Sequence, residues 1–174
     1  AQPFMEAIAA AGTVEQKSDK DYYVVKHKIE VSDPDSGSKI MILPDDEFSV
    51  EVKVNFNSPV LANQYASMEH VDEFAREIAP ARTFVFVREI EPLLAAGLIK
   101  GGDLDNAIVI YDSPMDDARL AEIAAVVGVD VPHVESYGYI NPKPLQFENE
   151  PARHKLLDVI GDIALIGRPL KGKV

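Results

Sequence analysis

The sequence predicts an α+β protein: a two-layer sandwich of a mainly antiparallel sheet with helices on one face, plus a small βαβ insert. Three observations carry this. Phe48–Phe56 alternates without a break, Phe, Val, Val, Val and Phe on one side and Ser, Glu, Lys and Asn on the other, the pattern of a half-buried strand. Strand patterns in series are followed by a helix pattern with one apolar face, as a two-layer sandwich requires. Residues 82–111 then run strand, short helix, strand within a short span rich in apolar residues.

Taken in order, Pro3–Ala11 reads as a short helix, with Pro in its first turn and Gly12 as its C-cap. Phe4, Ile8 and Ala11 form its apolar stripe, and so short a helix is marginal alone and needs a packing partner. Gln16–Lys20 is a polar linker and the expected domain boundary. Tyr22–Val31 is β-rich, Asp33–Gly37 turns, and Lys39–Leu43 is a second strand. After Phe48–Phe56, a fourth strand is expected near Gln64–Met68. Asp72–Ala79 reads as an amphipathic helix, with Val71, Phe74 and Ile78 on one face.

Arg82–Val87 is the next strand, Glu91–Ala96 a helix stopped by Gly97, and Ala107–Tyr111 a strand. The apolar residues of this βαβ unit read either as plain core or as the wall of an apolar groove. Asp116–Val127 is a helix with acids in its first turn. Val129–Glu150 is Pro-rich and loop-like, with His133 expected at the surface. The last helix is expected from about Ala152 to Ile166, stopping at Gly167-Arg168-Pro169, and Val174 ends what resembles the beginning of another strand.

Bulk properties narrow the function classes. The chain has 174 residues, 47% hydrophobic and 26% charged, enough for one ordinary domain or a domain plus a piece of another. A formal charge of −12 argues against a nucleic-acid binder and requires any anionic ligand to be met by local cations. No apolar run reaches the length of a membrane span, and the first residues lack the basic and apolar stretches expected of a signal peptide. The absence of cysteine excludes disulfides and thiolate chemistry and fits a reducing, cytoplasmic setting. The missing initiator Met and the abrupt ends lead us to expect a fragment.

The most informative stretch is Arg153–Asp162, RHKLLDVIGD. His154, Asp158 and Asp162 stand four residues apart, so on a helix they share one face of an otherwise apolar segment. One reading is a surface His–Asp pair contributing a few tenths of a kcal/mol. The other is part of a zinc site, since imidazole and carboxylate at i and i+4 chelate one ion and further ligands come from elsewhere.

RHKLLDVIGD, with Arg82–Phe86 (RTFVF), Gly101–Val109 (GGDLDNAIV) and Ala11–Gln16 (AGTVEQ), resembles the UDP-3-O-acyl-N-acetylglucosamine deacetylases, the zinc hydrolases of bacterial lipid A synthesis. Order and spacing agree over nearly the whole chain. The long segment between Tyr111 and Glu150, with Asn141-Pro142-Lys143-Pro144, resembles the form fused to a 3-hydroxyacyl-[acyl-carrier-protein] dehydratase, although no dehydratase sequence is present.

The resemblance implies two similar α+β domains with the active site between them. Residues 1–16 would be the last helix of a missing first domain. Residues 17–174 would be the second domain, with the βαβ insert at 82–111 and a truncated C-terminus. It implies Zn2+ as cofactor, with His154 and Asp158 as two of three ligands. Asp162 would support a catalytic histidine beyond Val174, Lys155 would lie near the diphosphate, and Thr83 would help stabilise the oxyanion. Phe56 would pack the uridine. Phe84, Ile90, Leu93, Leu94, Leu98, Ile99, Leu104 and Val109 would belong to the acyl-chain passage. The third ligand and the glutamate base belong to the family's first domain, and His70 with Glu69 does not match them. Two rival readings are a non-catalytic module whose apolar unit docks a partner protein, and a different metal hydrolase using the same helix.

Overall fold

The computed structural model describes residues 1–97, 106–127, 137–141 and 143–174. The chain forms two compact units, one from Ala1–Lys53, Tyr65–Ala81 and Ala152–Val174, the other from Val54–Gln64 and Arg82–Pro151. The α+β class holds. No helix among the described residues is long and apolar enough to cross a membrane.

The first unit contains α1 (Gln2–Ala11), the strands β1 (Tyr23–Val24), β2 (Ile29–Ser32), β3 (Lys39–Ile42), β4 (Phe48–Val54), β5 (Gln64–Met68) and β9 (Leu170–Lys173), and most of α4 (Glu150–Ala164). A four-stranded sheet has the order β1-β9-β4-β5. The sheet is mixed where a mainly antiparallel one was expected, because β9 runs parallel to both neighbours, with Tyr23 opposite Leu170 and Phe48 opposite Gly172. Gly172 is required there: a Cβ would meet Val25 Cγ2 at 2.9 Å and the Leu43 carbonyl at 3.0 Å. The hairpin β2–β3 is antiparallel, with Ile29 opposite Ile42 and Val31 opposite Ile40.

Several expected elements differ in detail. The β-rich run Tyr22–Val31 is not one strand but two pieces, β1 and β2, separated by Val25–Lys28. Val25 turns inward and is buried while Tyr23, Val24 and Ile29 stay exposed. The amphipathic helix expected over Asp72–Ala79 is instead a 3-10 turn, Val71–Glu73, followed by a π-type turn, Phe74–Ile78. The Ala79 N–H reaches the Phe74 carbonyl at 2.8 Å, an i to i+5 bond. His70 and Glu73 form a capping box before it. Helix α1 buries no residue, and Phe4 and Ile8 are exposed.

The second unit is built on a sheet of order β6-β7-β8, from Thr83–Phe86, Ala107–Tyr111 and Gly138–Tyr139. Strands β6 and β7 are parallel, with Thr83 opposite Ala107 and Phe86 opposite Ile110. They are joined through α2 (Val87–Ala95), which starts four residues earlier than its sequence pattern suggests and accommodates Pro92. Strand β8 pairs antiparallel to β7 within a segment expected to be loop throughout. The apolar runs TFVF and AIVIY follow from burial on both faces. Phe86, Ile108 and Ile110 pack with Leu61 on one side; Val109 and Tyr111 pack with Val87, Ile90, Leu120 and Ile123 on the other, under α2 and α3 (Asp117–Val127).

Candidate functional site

Helix α4 carries the candidate ligands. Its apolar residue Leu156 is fully buried, and this holds the opposite stripe at a fixed azimuth. His154 and Asp158 turn towards each other, with Nε2 and Oδ1 3.5 Å apart. His154 Nδ1 lies 3.3 Å from the Ala81 carbonyl oxygen. A carbonyl only accepts, so Nδ1 carries the proton in that contact, and Nε2 is the ring nitrogen on the side of Asp158. Lys155 Nζ donates to Asp158 Oδ2 at 3.0 Å, so the lysine neutralises one carboxylate oxygen while the other faces the imidazole.

This pair fits a zinc ion. Ligands about 2.0–2.1 Å from a tetrahedral centre lie about 3.3–3.4 Å from each other, close to the 3.5 Å between Nε2 and Oδ1. The second ring nitrogen is tied to a carbonyl, as metal-bound histidines usually are. Among the described residues no group of three His, Cys, Asp or Glu is placed to hold a metal ion. Asp162, two turns beyond His154 on the same helix, is exposed.

A cleft in this unit lies elsewhere on α4. It has a volume of about 620 Å³ and is lined by Ile160, Ile163 and Ala164 of α4 with Tyr22, Phe48 and Leu170, not by His154 or Asp158.

The second unit holds the remaining described candidates. Thr83 is exposed at the first position of β6. Phe56, Phe84 and Phe86 form a mutual aromatic cluster, Phe56 and Phe84 edge to face at 5.1 Å and Phe84 and Phe86 at 6.1 Å. Phe56 and Phe84 are half-buried, which leaves ring surface for a ligand. Ile90 and Val109 are core residues instead, packed with Tyr111, Leu120 and Ile123. Leu93 is half-buried on α2. The Leu94 side chain, and Leu98, Ile99, Leu104, His133 and Pro142, lie outside the described residues.

Two groups without a local sequence signal also bear on the site. One is the Ala81 carbonyl already described. The other is Glu150, fully buried in the first turn of α4 and paired with buried Arg82. Glu150 accepts from the Arg82 N–H at 2.9 Å, from Arg82 Nε at 2.8 Å and Nη2 at 3.0 Å, and from the Gln146 N–H at 2.7 Å. Burial alone would raise its pKa; the Arg82 and Gln146 donors outweigh that and hold it below the ordinary carboxylate value. Its place four residues before His154 extends the same helical face and was the one available clue.

The family model described as LpxC: UDP-3-O-acyl N-acetylglycosamine deacetylase matches residues 1–123 and 126–174. The chain is 55% identical over 174 residues to the bifunctional enzyme LpxC/FabZ of Porphyromonas gingivalis, covering 100% of this chain and 38% of that protein. It is 43% identical over 175 residues to the bifunctional enzyme LpxC/FabZ of Chlorobaculum tepidum, covering 99% of this chain and 38% of that protein. It is 39% identical over 173 residues to the UDP-3-O-acyl-N-acetylglucosamine deacetylase of an Anaeromyxobacter species, covering 99% of this chain and 48% of that protein. The chain therefore spans less than half the length of these relatives.

Proposed function

Because this chain belongs to the UDP-3-O-acyl N-acetylglycosamine deacetylase family, we propose that it supplies part of the active site of a zinc-dependent amide hydrolase. The reaction is removal of the N-acetyl group of UDP-3-O-acyl-N-acetylglucosamine in bacterial lipid A synthesis, a cytoplasmic step. The observation that carries this reading is the His154–Asp158 pair, 3.5 Å apart on α4 with the imidazole tied back to Ala81. In this reading residues 1–16 end a first domain, residues 17–174 form a second, and the remaining zinc ligand and the general base come from that first domain. The bifunctional relatives' name favours a dehydratase fused to the same polypeptide.

The residues divide the work by chemistry. His154 and Asp158 would hold zinc, which when bound supplies Lewis-acid polarisation of the amide carbonyl and acidifies the hydrolytic water. Lys155 meets diphosphate charge locally, a need set by the net charge of −12. The Thr83 hydroxyl donates to the oxyanion as it forms. Phe56 and Phe84 offer aromatic surface to the uracil and the start of the acyl chain. Among the described residues, half-buried Leu93 on α2 would belong to the acyl passage. Binding energy from that chain, remote from the amide, is available to orient the reacting centre. Asp162 orients a histidine supplied by the rest of the protein.

The test is UDP-sugar deacetylation and zinc content of the full-length protein beside its His154→Ala variant. Activity and zinc lost together support the reading. A variant that keeps both removes it.

A further inference from the structure

We propose that Glu150 is a positioning residue for His154, acting through the single peptide group that joins Ala81 to Arg82. That group is held at both ends. Its N–H, on Arg82, donates to Glu150 Oε1 at 2.9 Å. Its C=O, on Ala81, accepts from His154 Nδ1 at 3.3 Å. A peptide group is planar, so fixing the direction of its N–H fixes the direction of its C=O. The carbonyl orients the ring, with Nδ1–H on the carbonyl and Nε2 on the side of Asp158 Oδ1, 3.5 Å away.

Glu150 is itself immobilised. It is 0% exposed. Besides the Arg82 N–H, it takes Arg82 Nε on Oε1 and both Arg82 Nη2 and the Gln146 N–H on Oε2. Arg82 Nη2 also donates to the Pro144 carbonyl at 2.9 Å, so the guanidinium cannot swing away with the carboxylate. Glu150 and His154 lie about one turn apart on α4. The helix sets the spacing of carboxylate and imidazole, and the peptide group spans it. The consequence for zinc rests on the metal-site reading above.

An ion pair with only a structural role would leave the imidazole tautomer unchanged when weakened. The experiment uses metal-free full-length protein labelled with 15N-histidine, at a pH where the imidazole is neutral, with the His154 signals assigned by their loss in His154→Ala. Wild-type His154 is expected as the Nδ1–H tautomer. Glu150→Gln keeps the side chain's size but puts a donor where an acceptor is needed; an Nε2–H population should appear, and zinc affinity should fall roughly 10–100-fold. Arg153→Met is the control. It breaks a different α4 anchor, Arg153 Nη1 to the Glu77 carbonyl at 2.7 Å, and should keep the wild-type tautomer.

Wild-type His154 protonated on Nε2 would overturn the proposal even if Glu150→Gln does not fold. A wild-type tautomer pattern in Glu150→Gln, or the same disturbance in Arg153→Met, would also overturn it. Failure of the metal-site reading shows differently: zinc stoichiometry is then unchanged in His154→Ala, while the Nδ1–H tautomer still upholds the role of Glu150.

Discussion

At the scale of single residues, chemistry follows from which atom faces which. Thr83 carries the only proposed function in the second unit that needs a hydroxyl. Thr83→Ala in the full-length protein should lower kcat about 10²–10³-fold with KM little changed, as removal of one oxyanion donor does. A steady-state comparison with the wild type checks this. Glu30 is held in its ionised form by two lysines. Lys28 and Lys39 reach its two carboxylate oxygens at 2.5 and 2.6 Å, and their hydrogen bonds lower its pKa to about 2. The folded state therefore binds its proton more weakly than the unfolded chain. The stabilisation is complete above the ordinary glutamate value of 4.5 and is lost as pH falls towards about 2. A carboxyl-carbon NMR titration should place the Glu30 midpoint well below those of exposed glutamates. His154, Asp158 and Asp162 were legible in the sequence because helical spacing is local information. The Arg82–Glu150 pair was not, because its partners are 68 positions apart and the helical spacing of Glu150 from His154 says nothing of Arg82.

At the scale of elements, α4 is the part that most depends on long-range polar anchors. Arg82 clamps its first turn through Glu150, and Arg153 donates to Glu77 Oε2 at 2.8 Å. Removing one partner of a buried ion pair leaves the other charge uncompensated. Glu150→Ala should therefore cost about 3–5 kcal/mol in denaturant unfolding, well above the cost of Arg153→Met, since Arg153 and Glu77 are partly exposed. The Glu77 carboxyl is held below its ordinary value by Arg76 first and Arg153 next. Its stabilising contribution is thus present at neutral pH and lost on acidification, so acid sensitivity should diminish in Arg153→Met. The elements that sequence pattern found include α1, β3, β4, β5, β6, β7, α3 and α4, each signalled by local pattern or turn residues. The pattern failed where tertiary context decides. Inward-turned Val25 divides an apparently continuous strand, β8 is a two-residue pairing recruited by β7, and Val71–Ile78 has helical spacing without α-helical winding.

At the scale of the whole molecule, the described residues bring together two candidate zinc ligands, and no third. The 174-residue chain alone should show no deacetylase turnover and should bind zinc weakly, through two protein ligands at most. An assay of the isolated chain beside the full-length protein checks both. In the proposed site His154 and Asp158 share one zinc ion. X-ray absorption at the zinc edge of the full-length protein tests it most directly. One zinc per chain is expected, ligated by nitrogen and oxygen at about 2.0–2.2 Å, with occupancy lost in both His154→Ala and Asp158→Ala. Full zinc occupancy and an unchanged spectrum in those two variants would contradict it.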